Sequence, residues 1–149
     1  SPNSGSAINR YTLDGQAYLG LVGSSVLAIR ARTVTADAPL PVYERALVGG
    51  FGSLRGFKAG AFTGDNEATA SLELRMPFHS PLRMGQTGLV VFGDAGAAYD
   101  HGVKLSDARF ESGVGGGWYL RVPLFQLEVD VAYGFDSGTR VHVTAGLRF

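Results

Sequence analysis

Cysteine is absent from this chain of 149 residues, which excludes disulfide frameworks, thiolate metal sites and cysteine nucleophiles. Histidine is scarce as well. His79, His101 and His142 are too scattered to suggest a zinc cluster, so neither a metal nor a cofactor is expected. Charge is sparse and balanced: 13 cationic and 13 anionic side chains cancel to a formal net charge of zero. That leaves no basic surplus to neutralise phosphates, and nucleic acid is not an expected partner. No window approaches the roughly eighteen apolar residues of a spanning helix, which excludes a helical membrane protein. No Gly-x-Ser-x-Gly elbow accompanies the serines, and the chain is not expected to be an enzyme. Ser1 to Ser6 carry neither the basic nor the apolar stretch of a secretory signal and read as a linker or loop.

What the chain has is alternation with period two, the mark of strands with two unlike faces. From Tyr11 the apolar or small residues Leu13, Ala17, Leu19 and Leu21 alternate with Thr12, Asp14, Gln16 and Gly20. Leu27, Ile29 and Ala31 oppose Arg30 and Arg32. Leu72, Leu74 and Met76 oppose Ser71, Glu73 and Arg75. Leu127, Val129, Val131, Tyr133 and Phe135 oppose Gln126, Glu128, Asp130 and Gly134. The final run sets Val141, Val143, Ala145, Leu147 and Phe149 against His142, Thr144, Gly146 and Arg148. Two glycine-rich runs, Thr87 to Tyr99 and Glu111 to Val122, complete the set of seven strand candidates. Gly115-Gly116-Gly117 lies inside the second of these with no helix behind it, so it is not a phosphate-binding loop.

The runs are about ten to twelve residues long, whereas strands of soluble domains cluster near five or six. About nine to eleven tilted residues cross the hydrocarbon layer of a bilayer, so the lengths suit a membrane barrel better than a sandwich. Tyr11, Tyr99, Tyr133, Phe135 and Phe149 lie near strand ends, where interfacial girdles sit. Short turns after Gly20, at Pro123 and between His79 and Gln86 define one rim, and the long segment 36–67 defines the other. The expected fold is therefore all-β, an antiparallel transmembrane β-barrel with about seven or eight long strands. Counting back from Phe149 at the periplasmic rim makes the first strand run downward. That is odd for a complete barrel, so the chain reads as the C-terminal portion of a larger one. The other options are an eighth strand around Val42 to Leu47, or pairing of the open edges with another copy.

Within segment 36–67 the sequence runs Gly49-Gly50-Phe51-Gly52-Ser53-Leu54-Arg55-Gly56-Phe57. With Ser71-Leu72-Glu73-Leu74 and Phe92-Gly93-Asp94-Ala95-Gly96 in order behind it, this resembles the BamA and two-partner-secretion transporter superfamily, the bacterial surface antigen barrels. The resemblance covers about Leu13 to Phe149. It implies that the loop folds from outside into the lumen and that Arg55, Gly56 and Phe57 form its tip. It further implies that Glu73 and Asp94 are the acidic wall partners, with Phe92 and Gly96 completing the wall motif. The last residues, Leu147 and Phe149, resemble the C-terminal assembly signal of outer-membrane proteins. Alternation alone puts Glu73 and Asp94 on the polar faces of adjacent strands, where the planar fork of an arginine could bridge them. Taken singly, Arg55 reads more readily as a solvated loop residue, with Glu73 and Asp94 as ordinary lumen charges; the accompanying glycine and strand motifs favour the anchor. Asp100 and His101 read as solvated loop residues, and His142 as a structural lumen residue.

The resemblance implies a location in the bacterial outer membrane, or in an organelle outer membrane of bacterial origin. It implies a role in inserting outer-membrane proteins or translocating polypeptides. The partners would then be outer-membrane lipid, an unfolded outer-membrane or secreted polypeptide, and an upstream POTRA or passenger domain. Two other readings are a barrel anchoring a fused patatin-like phospholipase and a small porin-like barrel.

Overall fold

A computed structural model describes residues 8–78 and 85–147 of the chain. Seven long strands form one antiparallel meander: β1 (Arg10–Gly20), β2 (Val26–Ala36), β5 (Asn66–Phe78), β6 (Gln86–Tyr99), β7 (Glu111–Val122), β8 (Phe125–Gly134) and β9 (Gly138–Leu147). Two three-residue strands, β3 (Ala46–Val48) and β4 (Phe62–Gly64), pair only with each other inside the long loop between β2 and β5. Among the described residues β1 and β9 are the edges of the sheet and do not pair.

Alternation dictates which way each strand faces, and the exposed face is the apolar one. Along β6, Leu89 and Val91 are 49% and 45% exposed, while Val90, Phe92 and Asp94 between and beyond them are buried. Leu72, Val114, Val131 and Val143 are likewise exposed on the outer face of their strands. A water-soluble sandwich would bury these residues; a wall facing lipid leaves them outside. Strand lengths of 10 to 14 residues fit the same surroundings. Tyr11, Tyr133 and Phe135 are exposed toward the outer rim, the last two packed edge to face.

The short connections are built for reversal. Between β1 and β2, Gly23 and Ser24 both take positive φ, and Pro123 and Leu124 alone join β7 to β8. On the opposite rim β8 and β9 are also joined tightly, with Asp136 and Gly138 at positive φ, so not every outer connection is long. The expected turn around Pro81 falls mostly outside the described residues, as do the first six residues and Phe149.

The eighth strand considered around Val42 to Leu47 is not part of the wall. Val42–Glu44 is a single 3-10 turn after Pro41, and Ala46 and Val48 turn inward within the loop. Val48 is buried there with Leu54 and Phe57, so the segment serves the loop rather than the edge of the sheet.

Candidate functional site

The loop 37–65 folds back against the lumen face of the sheet and carries a small apolar core of its own. Val48, Leu54 and Phe57 are buried together, with Phe62 and Ala98 against them, and the Phe57 and Phe62 rings meet edge to face at 5.2 Å. Gly49 and Gly50 take φ of 123° and 86°, conformations that L side chains rarely adopt. The Gly50 N–H donates to the Leu54 carbonyl and the Phe57 N–H to the same acceptor. The tip is thus a compact folded unit that projects Arg55 at the wall.

Arg55 is the centre of the site. Its Nε and Nη2 donate to the two carboxylate oxygens of Asp94, each at 2.8 Å, a bidentate pair. Nη1 donates to Glu73 at 2.7 Å and Nη2 also to Ser71 at 3.1 Å. The backbone N–H of Arg55 donates to Asp94, and the Ser71 hydroxyl donates to the same carboxylate. Beneath the guanidinium lies the Phe92 ring, 3.3 Å from Cζ to centroid, a cation–π contact. Arg55, Glu73 and Asp94 are all buried. Burial alone would lower the Arg55 pKa, but the bonds to Asp94 and Glu73 outweigh it and raise it. Arg75 donates in turn to the other oxygen of Glu73, so that carboxylate is held from both sides.

The structure therefore brings together Arg55, Glu73, Asp94 and Phe92. Gly96 acts differently. A Cβ there would come within 2.8 Å of Thr69 Cγ2 and 2.9 Å of the Ala68 carbonyl, so this glycine serves the fit of β6 on β5 rather than the arginine. Gly56 is required by close approach: a Cβ on it would lie 2.4 Å from the Gly134 nitrogen, and one on Gly134 2.5 Å from the Gly56 carbonyl oxygen. Phe57 packs into the loop core rather than directly on the arginine. Leu147 faces outward at the end of β9, away from the site.

Gly134, Gly115 and Asp130 escape the sequence reading of this arrangement, while His142 is the structural lumen residue expected of it. His142 Nε2 donates to the Arg55 carbonyl at 2.6 Å, and its ring lies beside Phe51. Gly134 receives Gly56. Gly115 leaves room for the Phe92 ring, whose atoms a Cβ would meet at 2.5 Å. Asp130, on β8 opposite His142, is fully buried. Only the register between strands, invisible in one sequence, puts these groups opposite the tip. The tip consequently bridges two parts of the wall, β5 and β6 through its side chain, β8 and β9 through its backbone.

Asp100 and His101 are not merely solvated. Asp65, just before β5, accepts from the backbone N–H of His101 at 2.9 Å and of Leu40 at 3.0 Å. These two bonds hold its carboxyl below the ordinary value. Arg45 pairs with Asp100 and lies 3.5 Å from Asp65, tying the loop to the β6–β7 connection. Below the tip a cavity of about 380 Å³ is lined by polar side chains, including Arg30, Arg75, Arg121, Gln126 and Glu128. Among the described residues no group of three His, Asp or Glu side chains is arranged to hold a metal.

A family model described as the Omp85 superfamily domain matches residues 1–149. No curated protein matches the chain.

Proposed function

Since the chain belongs to the Omp85 superfamily and is an outer-membrane β-barrel protein, we propose that it serves to insert outer-membrane proteins or to pass polypeptides across a bacterial outer membrane. The observation that carries this reading is the loop tip held inside the wall by Arg55, Glu73 and Asp94 above a polar cavity. A rigid pore would need no such buried latch, whereas a device that admits a chain needs a plug with a definite docked position. The work is done without covalent chemistry. An unfolded client strand would pair with an exposed sheet edge, gaining main-chain hydrogen bonds in a medium that supplies none. The partners are outer-membrane lipid and an unfolded outer-membrane or secreted polypeptide, with a second copy of the chain able to meet an open edge.

Reconstitution tests the reading. The full-length protein in vesicles should speed the folding of a labelled, urea-unfolded barrel client relative to empty vesicles, and Arg55→Ala should lose most of that gain. Equal client folding with and without the protein would overturn it. Small-solute conductance unaffected by Arg55→Ala, with no effect on clients, would favour a porin.

A further inference from the structure

The least explained group in the wall is Asp130. It is fully buried, yet among the described residues neither of its carboxylate oxygens has a hydrogen-bond partner. A buried carboxylate left alone is costly, and one that persists in a wall calls for a physical account. Its surroundings supply one. Asp130 lies over Gly117, where an added Cβ would fall 2.0 Å from Oδ1 and 2.4 Å from the Val129 carbonyl. Phe92, the ring under the Arg55 guanidinium, lies over Gly115 in the same manner. Gly115 and Gly117 share one face of β7 two residues apart, a separation of about 7 Å along the strand. Asp130 also faces His142 across the β8–β9 ladder, and His142 holds the Arg55 carbonyl. The charged groups whose fields reach Asp130 are Glu128, Arg55 and Glu73.

The geometry points to Asp130 as a second seat for the Arg55 guanidinium, so that the loop tip has two docked positions in the lumen. In the first, described above, Arg55 joins the tip to β5 and β6. In the second, the side chain swings over the β7 glycines onto Asp130 while the His142 bond and the Gly56–Gly134 contact keep the backbone in place. The move exchanges one carboxylate for another and never leaves the guanidinium unpaired at either end point. It uncouples the tip from β5 and β6 without expelling it, which frees one part of the wall to move relative to the other. Glu73 keeps a partner when Arg55 departs, because Arg75 already donates to it.

Deuterium exchange of residues 50–58 in the full-length, lipid-embedded protein tests this independently of any client, so its failure is separable from failure of the transport reading. Asp94→Asn removes much of the first seat; with a second seat available, exchange should stay within about tenfold of the unaltered protein. Adding Asp130→Asn should raise exchange at least about tenfold further, whereas Asp130→Asn alone should leave it unchanged. Assembly of each variant is checked by heat-modifiable migration. Should D94N/D130N fail to assemble, D94S/D130N removes the same bidentate partner and is read in the same way against D94S. The proposal is overturned if D94N alone exchanges as fast as the double variant, or if D130N alone already does.

Discussion

Arg55 makes four side-chain hydrogen bonds to three residues on two strands, and its planar fork is what permits this. Removing it leaves Asp94 and Glu73 buried with a partner missing, a loss of about 3–5 kcal/mol for a broken buried pair. Arg55→Ala is expected to assemble, because the wall ladders do not depend on it, but to expose the loop to protease. Arg55→Lys should fall between, keeping the charge without the bidentate geometry. Unchanged cleavage of the loop in Arg55→Ala would sink the anchor. The glycine beside it gives a sharper contrast. A Cβ on Gly56 meets backbone atoms of Gly134 at 2.4 Å and 2.5 Å, which cannot turn aside, whereas one on Gly52 meets nothing within 4 Å. Gly56→Ala should therefore release the tip as Arg55→Ala does, and Gly52→Ala should leave loop protection intact. Equal behaviour of the two would show that the close approach to β8 is not needed. Glu73 and Asp94 were legible in the sequence because each sits in a local motif on an alternating strand, and Arg55 because of the Leu-Arg-Gly-Phe run that carries it. His142 was legible as a structural lumen residue but its partner was not, and the parts of Gly134 and Asp130 were not, because they depend on what stands opposite them across the lumen.

Among the elements, the long loop departs most from its sequence appearance. An eighth wall strand around Val42 to Leu47 is one way to close the open edges, but the strand that forms there has three residues and cannot span a bilayer, and its inward Val48 instead packs in the core of the loop itself. The wall strands were readable because lipid and lumen impose opposite demands on successive residues; a loop that folds on itself imposes no such period. At the rim the loop is tied down by Asp65, which accepts the N–H groups of His101 and Leu40. Its carboxyl is held below the ordinary 3.8 by these bonds. A lowered folded pKa adds stability that is present above the unfolded value and is lost as pH falls through the folded value. The segment 37–48 should thus resist pepsin down to the lower end of the carboxylate range and become accessible only below it. Asp65→Asn should make the same segment more accessible above that transition, converge with the unaltered protein below it, and so flatten the acid transition. A wild-type loop that opens well above the carboxylate range would assign the tether to another group.

At the scale of the whole molecule the arrangement is inside out relative to a soluble protein, with its buried charges facing inward and its exposed aliphatics outward. The edges obey a further constraint. β1 and β9 lie six strands apart in an antiparallel meander and so run in the same direction. An antiparallel neighbour for either edge must run the opposite way, and lipid does not tolerate the unpaired peptide groups otherwise left there. The inside-out reading predicts opposite outcomes for two adjacent positions at the middle of β9. Val143 faces outward and is 66% exposed, whereas Thr144 lines the lumen and is paired across the ladder with Glu128. An arginine at a lipid-facing midplane position costs about 2–4 kcal/mol, so Val143→Arg should lower stability to urea in vesicles by that order. Thr144→Arg places the same charge in a polar cavity opposite a carboxylate and should change stability far less. In detergent-free water the ranking has no reason to hold, since Val143 is then already solvated, which ties the contrast to the bilayer. If the two substitutions proved equally costly in vesicles, the outer face of β9 would not be facing lipid, and the sheet would have to close around it in some other way.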